Sequence, residues 1–317
     1  MVTGVTNRRI FYVVFAFVLI LFIANKANAQ QETMYTQYMS NILSINPAYA
    51  GSNNMLSVNA VSRNQWVGIS GAPVTQTFSI HSPVTKYHMG LGLSFLKDEI
   101  GPISQTGVHA DYSYTLDFSR HRHLAFGLQG GINFYAAKYS DLKIVDPNDV
   151  VFQDDELRRF LPNVGVGAYY YTERFYAGLS APKLIENVIN PHSGYSSEYV
   201  SREQLHFFFM SGYVFDINQV LKFKPHFMAK FVMDAPLSLD LTGQFLLYDR
   251  LWLGAMYRFG DSFGLLVQVQ VTNQIKVGYS YDLSINQLGE YNHGTHEIMI
   301  SYDFDFGRNK VKSPRYF

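Results

Sequence analysis

Histidines and acidic runs are where this 317-residue sequence could do chemistry. His121-Arg122-His123 and His293-Gly294-Thr295-His296-Glu297 gather imidazoles, which bind transition metals when three or four ligands converge. The first pair falls in a turn with no cysteine and no evident carboxylate beside it. The second lacks the helical H-E-x-x-H setting and runs into a strand. The first pair reads as solvent-facing turn histidines, and the second carries little metal signal. Asp146-Pro147-Asn148-Asp149 with Asp154-Asp155-Glu156 clusters carboxylates on a loop, the donor set of a hard cation such as calcium. The spacing of loop 146–156 is not that of an EF-hand, and no glycine makes its sharp turn, so plain solvation is the simpler reading. No nucleophile elbow, phosphate loop or dinucleotide fingerprint occurs; Gly90-Leu91-Gly92 and Gly165-Val166-Gly167 read as alternate glycines on one strand face. With no cysteine, disulfides, thiolate nucleophiles and thiolate metal sites are excluded. The expectation is a chain that is not an enzyme and holds no cofactor.

The elements that would position any site begin with an export signal. Arg8 and Arg9 precede an apolar run over 10–24, and Ala27-Asn28-Ala29 offers a cleavage point. That run is too short to span a bilayer as a helix, which takes about 20 residues. Residues 1–29 therefore read as a signal peptide for ordinary Sec export, since the twin-arginine route carries folded proteins. Removing Arg8, Arg9 and Lys26 leaves 22 basic against 25 acidic side chains, and this balance implies no nucleic-acid partner.

Aromatic and charged residues each make up 16 %, whereas soluble domains average about 25 % charged. After the signal no apolar run is long enough for a membrane helix, so a membrane reading means a barrel. Period-two segments support one. Met89-Gly90-Leu91-Gly92-Leu93-Ser94-Phe95 and Ile298-Met299-Ile300-Ser301-Tyr302-Asp303-Phe304 place large apolar residues on one face and small or polar ones on the other. The fold class is therefore all-β, a transmembrane antiparallel barrel of about 14 strands. Strand centres are expected near Asn59, Phe78, Leu93, Tyr112, Leu128, Val166, Ala177, Phe209, Phe227, Leu239, Ala255, Val267, Val277 and Ile300. The longest gaps, 136–160, 181–204 and 282–295, fall at odd-numbered connections, the extracellular ones if both termini are periplasmic. The organisation is then a signal peptide (1–29), a periplasmic lead-in (30–54), an outer-membrane barrel (55–306) and a basic periplasmic tail (307–317). Asp111, Asp240, Gln244, Gln268 and Gln270 are expected to face the lumen.

The segment Gln37-Tyr38-Met39 through Asn46-Pro47-Ala48-Tyr49-Ala50-Gly51, then Arg63-Asn64-Gln65-Trp66-Val67-Gly68 and Gly71-Ala72-Pro73-Val74-Thr75, resembles the amino-terminal signature of the PorP/SprF family. The resemblance continues through Pro162-Asn163-Val164-Gly165-Val166-Gly167 and Tyr169-Tyr170-Tyr171 to His296-Glu297-Ile298. It implies an integral outer-membrane protein of the type IX secretion apparatus of Bacteroidetes. Such a protein would support secretion or surface attachment of cargo with a C-terminal sorting domain, some of it gliding adhesins. The implied partners are outer-membrane lipid, that exported cargo, and periplasmic and outer-membrane secretion components. No catalytic residue carries over. Asn46, Pro47, Gly51, Arg63, Trp66 and Pro73 are the motif positions, either structural or partner-contacting. Asn46-Pro47 initiates a turn before the first strand, Trp66 suits a membrane–water interface, and Arg63 is placed to meet a carbonyl or carboxylate. The rival function is a diffusion channel for small solutes, since a barrel of this size can leave an open lumen.

Overall fold

The computed structural model describes residues 33–53, 55–84, 87–138, 156–189, 202–233 and 235–304. Residues 1–29, the acidic loop apart from Glu156, and the basic tail lie outside the described residues. The strands are β1 (Leu56–Asn64), β2 (Val74–Val84), β3 (Met89–Ile100), β4 (Ile103–Ser119), β5 (Arg122–Lys138), β6 (Glu156–Tyr171), β7 (Phe175–Ala181), β8 (His206–Tyr213), β9 (Phe215–Asp216), β10 (Leu221–Val232), β11 (Ser238–Leu247), β12 (Leu251–Arg258), β13 (Ser262–Gln270), β14 (Ile275–Ser284) and β15 (Thr295–Phe304). The two-residue β9 continues β8 past Val214 along the same neighbour, β10, so fifteen segments make fourteen staves. All fourteen expected strand centres lie within them.

Each stave pairs antiparallel with its sequence neighbours, and β1 pairs with β15 from Leu56↔Phe304 to Asn64↔His296, which closes the ring. Closure of the sheet on itself is what a bilayer requires of spanning strands; the ladder of β6 with β7 is short, paired only from Val166↔Ala181 to Tyr171↔Tyr176 among the described residues. Even-numbered connections are tight, such as Thr172 to Arg174 and Tyr248 to Arg250, where Tyr248 and Asp249 both take φ 52°. The long links, from Lys138 to Glu156, Ala181 to His206 and Ser284 to Thr295, all leave the opposite rim. We call the two rims the turn end and the loop end.

Alternation sorts the side chains as a lipid-facing barrel demands. Outward positions carry Phe78, Leu91, Leu93, Phe95, Val166, Leu265 and Ile300, all exposed. Near the loop end aromatic rings meet on the outside at Phe134–Phe160 (5.4 Å) and Phe207–Phe231 (6.3 Å). Near the turn end the pairs are Tyr170–Phe175 (6.2 Å) and Tyr213–Phe215 (4.5 Å). Two aromatic girdles flanking an apolar band are the signature of an outer-membrane wall.

The interior is where the fold departs from expectation. The lead-in expected to lie ahead of the barrel runs inside it: the chain from Thr33 to Asn53 carries three short 3₁₀ turns, Tyr38–Ser40, Ile42–Ser44 and Pro47–Tyr49, and lines up within the lumen. Tyr35, Tyr38, Met39, Ile42, Leu43, Ala48 and Tyr49 are buried, in one cluster with the inward Val61, Ala125, Tyr169, Tyr176, Met210, Met228 and Met299. The physical reason is the hydrophobic effect, because a lead-in this apolar would otherwise expose its side chains to water.

A plugged lumen as the candidate functional site

The plug is seated by two devices. The first is space. Inward positions of several strands are glycines, and plug backbone occupies the room a side chain would take. A Cβ at Gly127 of β5 would lie 2.1 Å from the amide nitrogen of Ala48, and one at Gly90 of β3 would lie 2.0 Å from the carbonyl oxygen of Ala50. Gly167 makes room for the side chain of Asn46, whereas Gly165 makes room for Pro182, which follows β7 and is not part of the plug. A glycine in a strand costs stability, so it marks a close backbone approach.

The second device is polar. Arg63 reaches across to two carboxylates, Asp282 on β14 and Glu297 on β15, each at 2.9 Å, and also donates to Thr36 Oγ1 at 2.9 Å. Glu297 in turn accepts from the backbone amides of Thr36 (3.0 Å) and Gln37 (2.8 Å), and the Thr36 hydroxyl donates to Asp282 at 2.5 Å. All five groups are buried. One cation, two anions and a plug turn therefore partner one another away from bulk water, as a buried charge requires, although Arg63 Nε and Asp282 Oδ1 have no hydrogen bond.

Farther along, Asn41 Nδ2 donates to Thr77 Oγ1 (3.3 Å), and Gln268 Nε2 donates to Gln37 Oε1 and Ser40 Oγ (both 3.0 Å). Asn46 caps the Pro47–Tyr49 turn by accepting from the Ala48 amide (3.0 Å), while its Nδ2 donates to the carbonyl of Ala168 (3.0 Å). Ser180 donates to the carbonyl of Ile45 (2.8 Å) and Ser113 to that of Ala50 (2.7 Å). The plug is thus tied to the wall on most sides.

The six motif positions fall into two groups. Asn46, Pro47 and Gly51 belong to the plug; Gly51 has φ 72°, donates its amide to His81 Nδ1 (3.1 Å), and has no room for a Cβ against Gly90. Arg63, Trp66 and Pro73 belong to the loop end of β1 and its first connection. Pro73 accepts from the Gln65 amide at 2.9 Å. Trp66, half-buried with φ 48°, donates its amide to Thr295 Oγ1 (3.2 Å), while the Val67 amide donates to the Gly294 carbonyl (2.9 Å) and the His293 amide to the Val67 carbonyl (2.7 Å), which joins the first connection to the last. Of the residues expected to face the lumen, Asp111, Asp240, Gln244 and Gln268 are buried inside, and Gln270 shares the inward parity of Gln268.

The histidines need one correction. His121 Nδ1 lies 2.8 Å from Glu173, and His123 Nδ1 lies 2.5 Å from Asp117, which also approaches His88 at 2.9 Å. Glu173 comes from the β6–β7 turn, and Asp117 from β4 across the same hairpin as His123. These pairs stand on the exposed turn end, and among the described residues no group of three or more potential ligands is arranged to hold a metal ion.

The sequence that folds into this wall and plug matches, over residues 27–302, the family model described as type IX secretion system membrane protein PorP/SprF. The chain belongs to the PorP/SprF family. It is accordingly a membrane component of the type IX secretion system, with the barrel of an outer-membrane protein. No curated protein sequence matches this PorP/SprF chain. Among solved structures it is similar to the CymD monoaromatic hydrocarbon channel, with 9 % identity and a TM-score of 0.51, covering 88 % of this chain and 95 % of that one. It is also similar to the Ralstonia pickettii toluene transporter TbuX, with 7 % identity and a TM-score of 0.50, covering 82 % and 92 %. At these identities the likeness is one of fold.

Proposed function

We propose that this chain is a non-enzymatic secretion component that works through protein contacts. Exported cargo with a C-terminal sorting domain, gliding adhesins among it, meets the loop end outside the cell. Periplasmic and outer-membrane secretion components meet the turn end. The chain reaches the membrane by Sec export with residues 1–29 removed.

The observation that carries this reading is the occupied lumen. A diffusion channel needs a continuous wet path through the barrel. Here Tyr38, Ile42 and Leu43 sit fully buried between opposite walls, fixed by the Arg63–Asp282–Glu297 cluster and packed against inward glycines. That arrangement favours a scaffold with two contact faces over a pore.

Affinity purification of the carboxyl-tagged protein from gently solubilised outer membranes, with mass spectrometry of what accompanies it, tests the proposal. Recovery of secretion components or of an exported protein with a sorting domain is the expected result. A lone barrel in several detergents, together with steady ion conductance in planar bilayers, would transfer the weight to the channel. Shortening the chain within 190–201 is expected to lower cargo display while leaving the barrel folded, and normal display would remove that loop from the contact surface.

A further inference from the structure

The direction in which the plug crosses the lumen has a topological outcome that strand parity alone hides. Fourteen staves bring the end of β15, Phe304, back to the turn end, the rim from which β1 starts at Leu56. The plug is a further crossing. At its beginning, the Met34 sulfur accepts from Ser238, the first residue of β11 at the loop end. Thr36 touches Arg63, Asp282 and Glu297, each within a few residues of the loop end of its strand. Ser40 and Asn41 lie at mid-depth, bonded to Asn59, Thr77 and Ser79. Ala50 and Gly51 lie against Gly90 and Pro83, both beside the turn end, and Asn53 bonds Ser57 at the start of β1. Depth therefore changes monotonically with residue number, and the segment runs antiparallel to the strand it leads into.

We infer that residues 33–53 form a fifteenth membrane crossing, so that Thr33 is presented at the loop mouth, on the face of the membrane opposite Phe304. An even number of strands returns a chain to its starting side. An additional crossing inside the lumen reverses that outcome. Thr33 is only partly buried, and it lines a cavity that reaches down to Asn41, Thr77 and Ser79 at mid-depth. The loop face would then include the chain's own amino-terminal stretch beside its long connections.

The chain has no cysteine, so single cysteines report without background. Three are introduced separately: Thr33→Cys, Tyr291→Cys on the exposed last connection as the loop-face marker, and Glu173→Cys on the exposed β6–β7 turn as the turn-face marker. Cells are treated with a membrane-impermeant maleimide before and after permeabilising the outer membrane, with heat-modifiable gel migration confirming that each barrel is folded. The expected result is that Thr33→Cys labels under the same condition as Tyr291→Cys and not under that of Glu173→Cys. Labelling of Thr33→Cys with Glu173→Cys would overturn the inference, and so would failure to label under either condition in a folded barrel. Should Thr33→Cys not fold, an epitope inserted directly before Thr33 and read by antibody on intact cells, against the same epitope at Tyr291, makes the same comparison.

Discussion

At the scale of single residues, the inward face is organised around groups with no cheap substitute. Arg63 is buried with two carboxylates, and removing it leaves both uncompensated. Breaking a buried charge cluster from one side costs about 3–5 kcal/mol. Arg63→Ala is therefore expected to lower the unfolding temperature of the purified barrel in detergent clearly, and the double variant with Glu297→Gln less than additively, because the second change removes one of the orphaned anions. Gly127→Ala and Gly130→Ala make a matched pair on one strand. A Cβ at Gly127 meets plug backbone at 2.1 Å, whereas a Cβ at Gly130 meets nothing within 4 Å. The first should loosen the plug, read as protease sensitivity within 33–53, and the second should leave it unchanged. Arg63 was legible in the sequence as a residue placed to meet a carbonyl or a carboxylate. The identity of its partners was not, because Glu297 lies 234 positions away and becomes a neighbour only when the first strand closes on the last.

Among elements, strands were the most legible part, since a bilayer outside and a packed lumen inside impose a strict period of two. All fourteen centres could be placed because large outward residues such as Leu93 and Ile300 alternate with small or polar inward ones. Leu93→Arg on the outward face is expected to cost about 2–4 kcal/mol if it sits near the bilayer midplane, seen as reduced assembly into the outer membrane. The plug was missed for a matching reason. Its three 3₁₀ turns have neither the 2.0 nor the 3.6 period, so no repeat announces it. The usable signals were indirect: a concentration of Tyr35, Tyr38, Met39, Ile42 and Leu43 that a solvated lead-in would not bury, and glycine pairs at 90/92 and 165/167 facing a lumen that an open pore would fill with larger polar side chains.

For the whole molecule, the wall and the plug make separable predictions. Deleting residues 33–51 removes the apolar centre of the lumen and leaves the wall ladder intact, with β1 still paired to β15. The truncated barrel is expected to conduct ions in planar bilayers where the full chain does not. If both conduct equally, the plug does not seal the lumen. The same deletion should abolish cargo display if the plug also shapes the loop face, since Thr36 and Gln37 hold Glu297 beneath the first and last connections.

A closed ring around a cord also constrains history. Twenty-odd residues joined covalently to β1 pack against Tyr169, Tyr176 and Met210 inside the ring that β1 and β15 close, so laying the cord down before that seam forms avoids threading it through a finished barrel. The order of events expected in biogenesis is therefore the amino-terminal segment first and the β1–β15 seam last. A bulky folded domain fused ahead of Thr33 would obstruct that order, whereas the same domain placed beyond Phe304 would not.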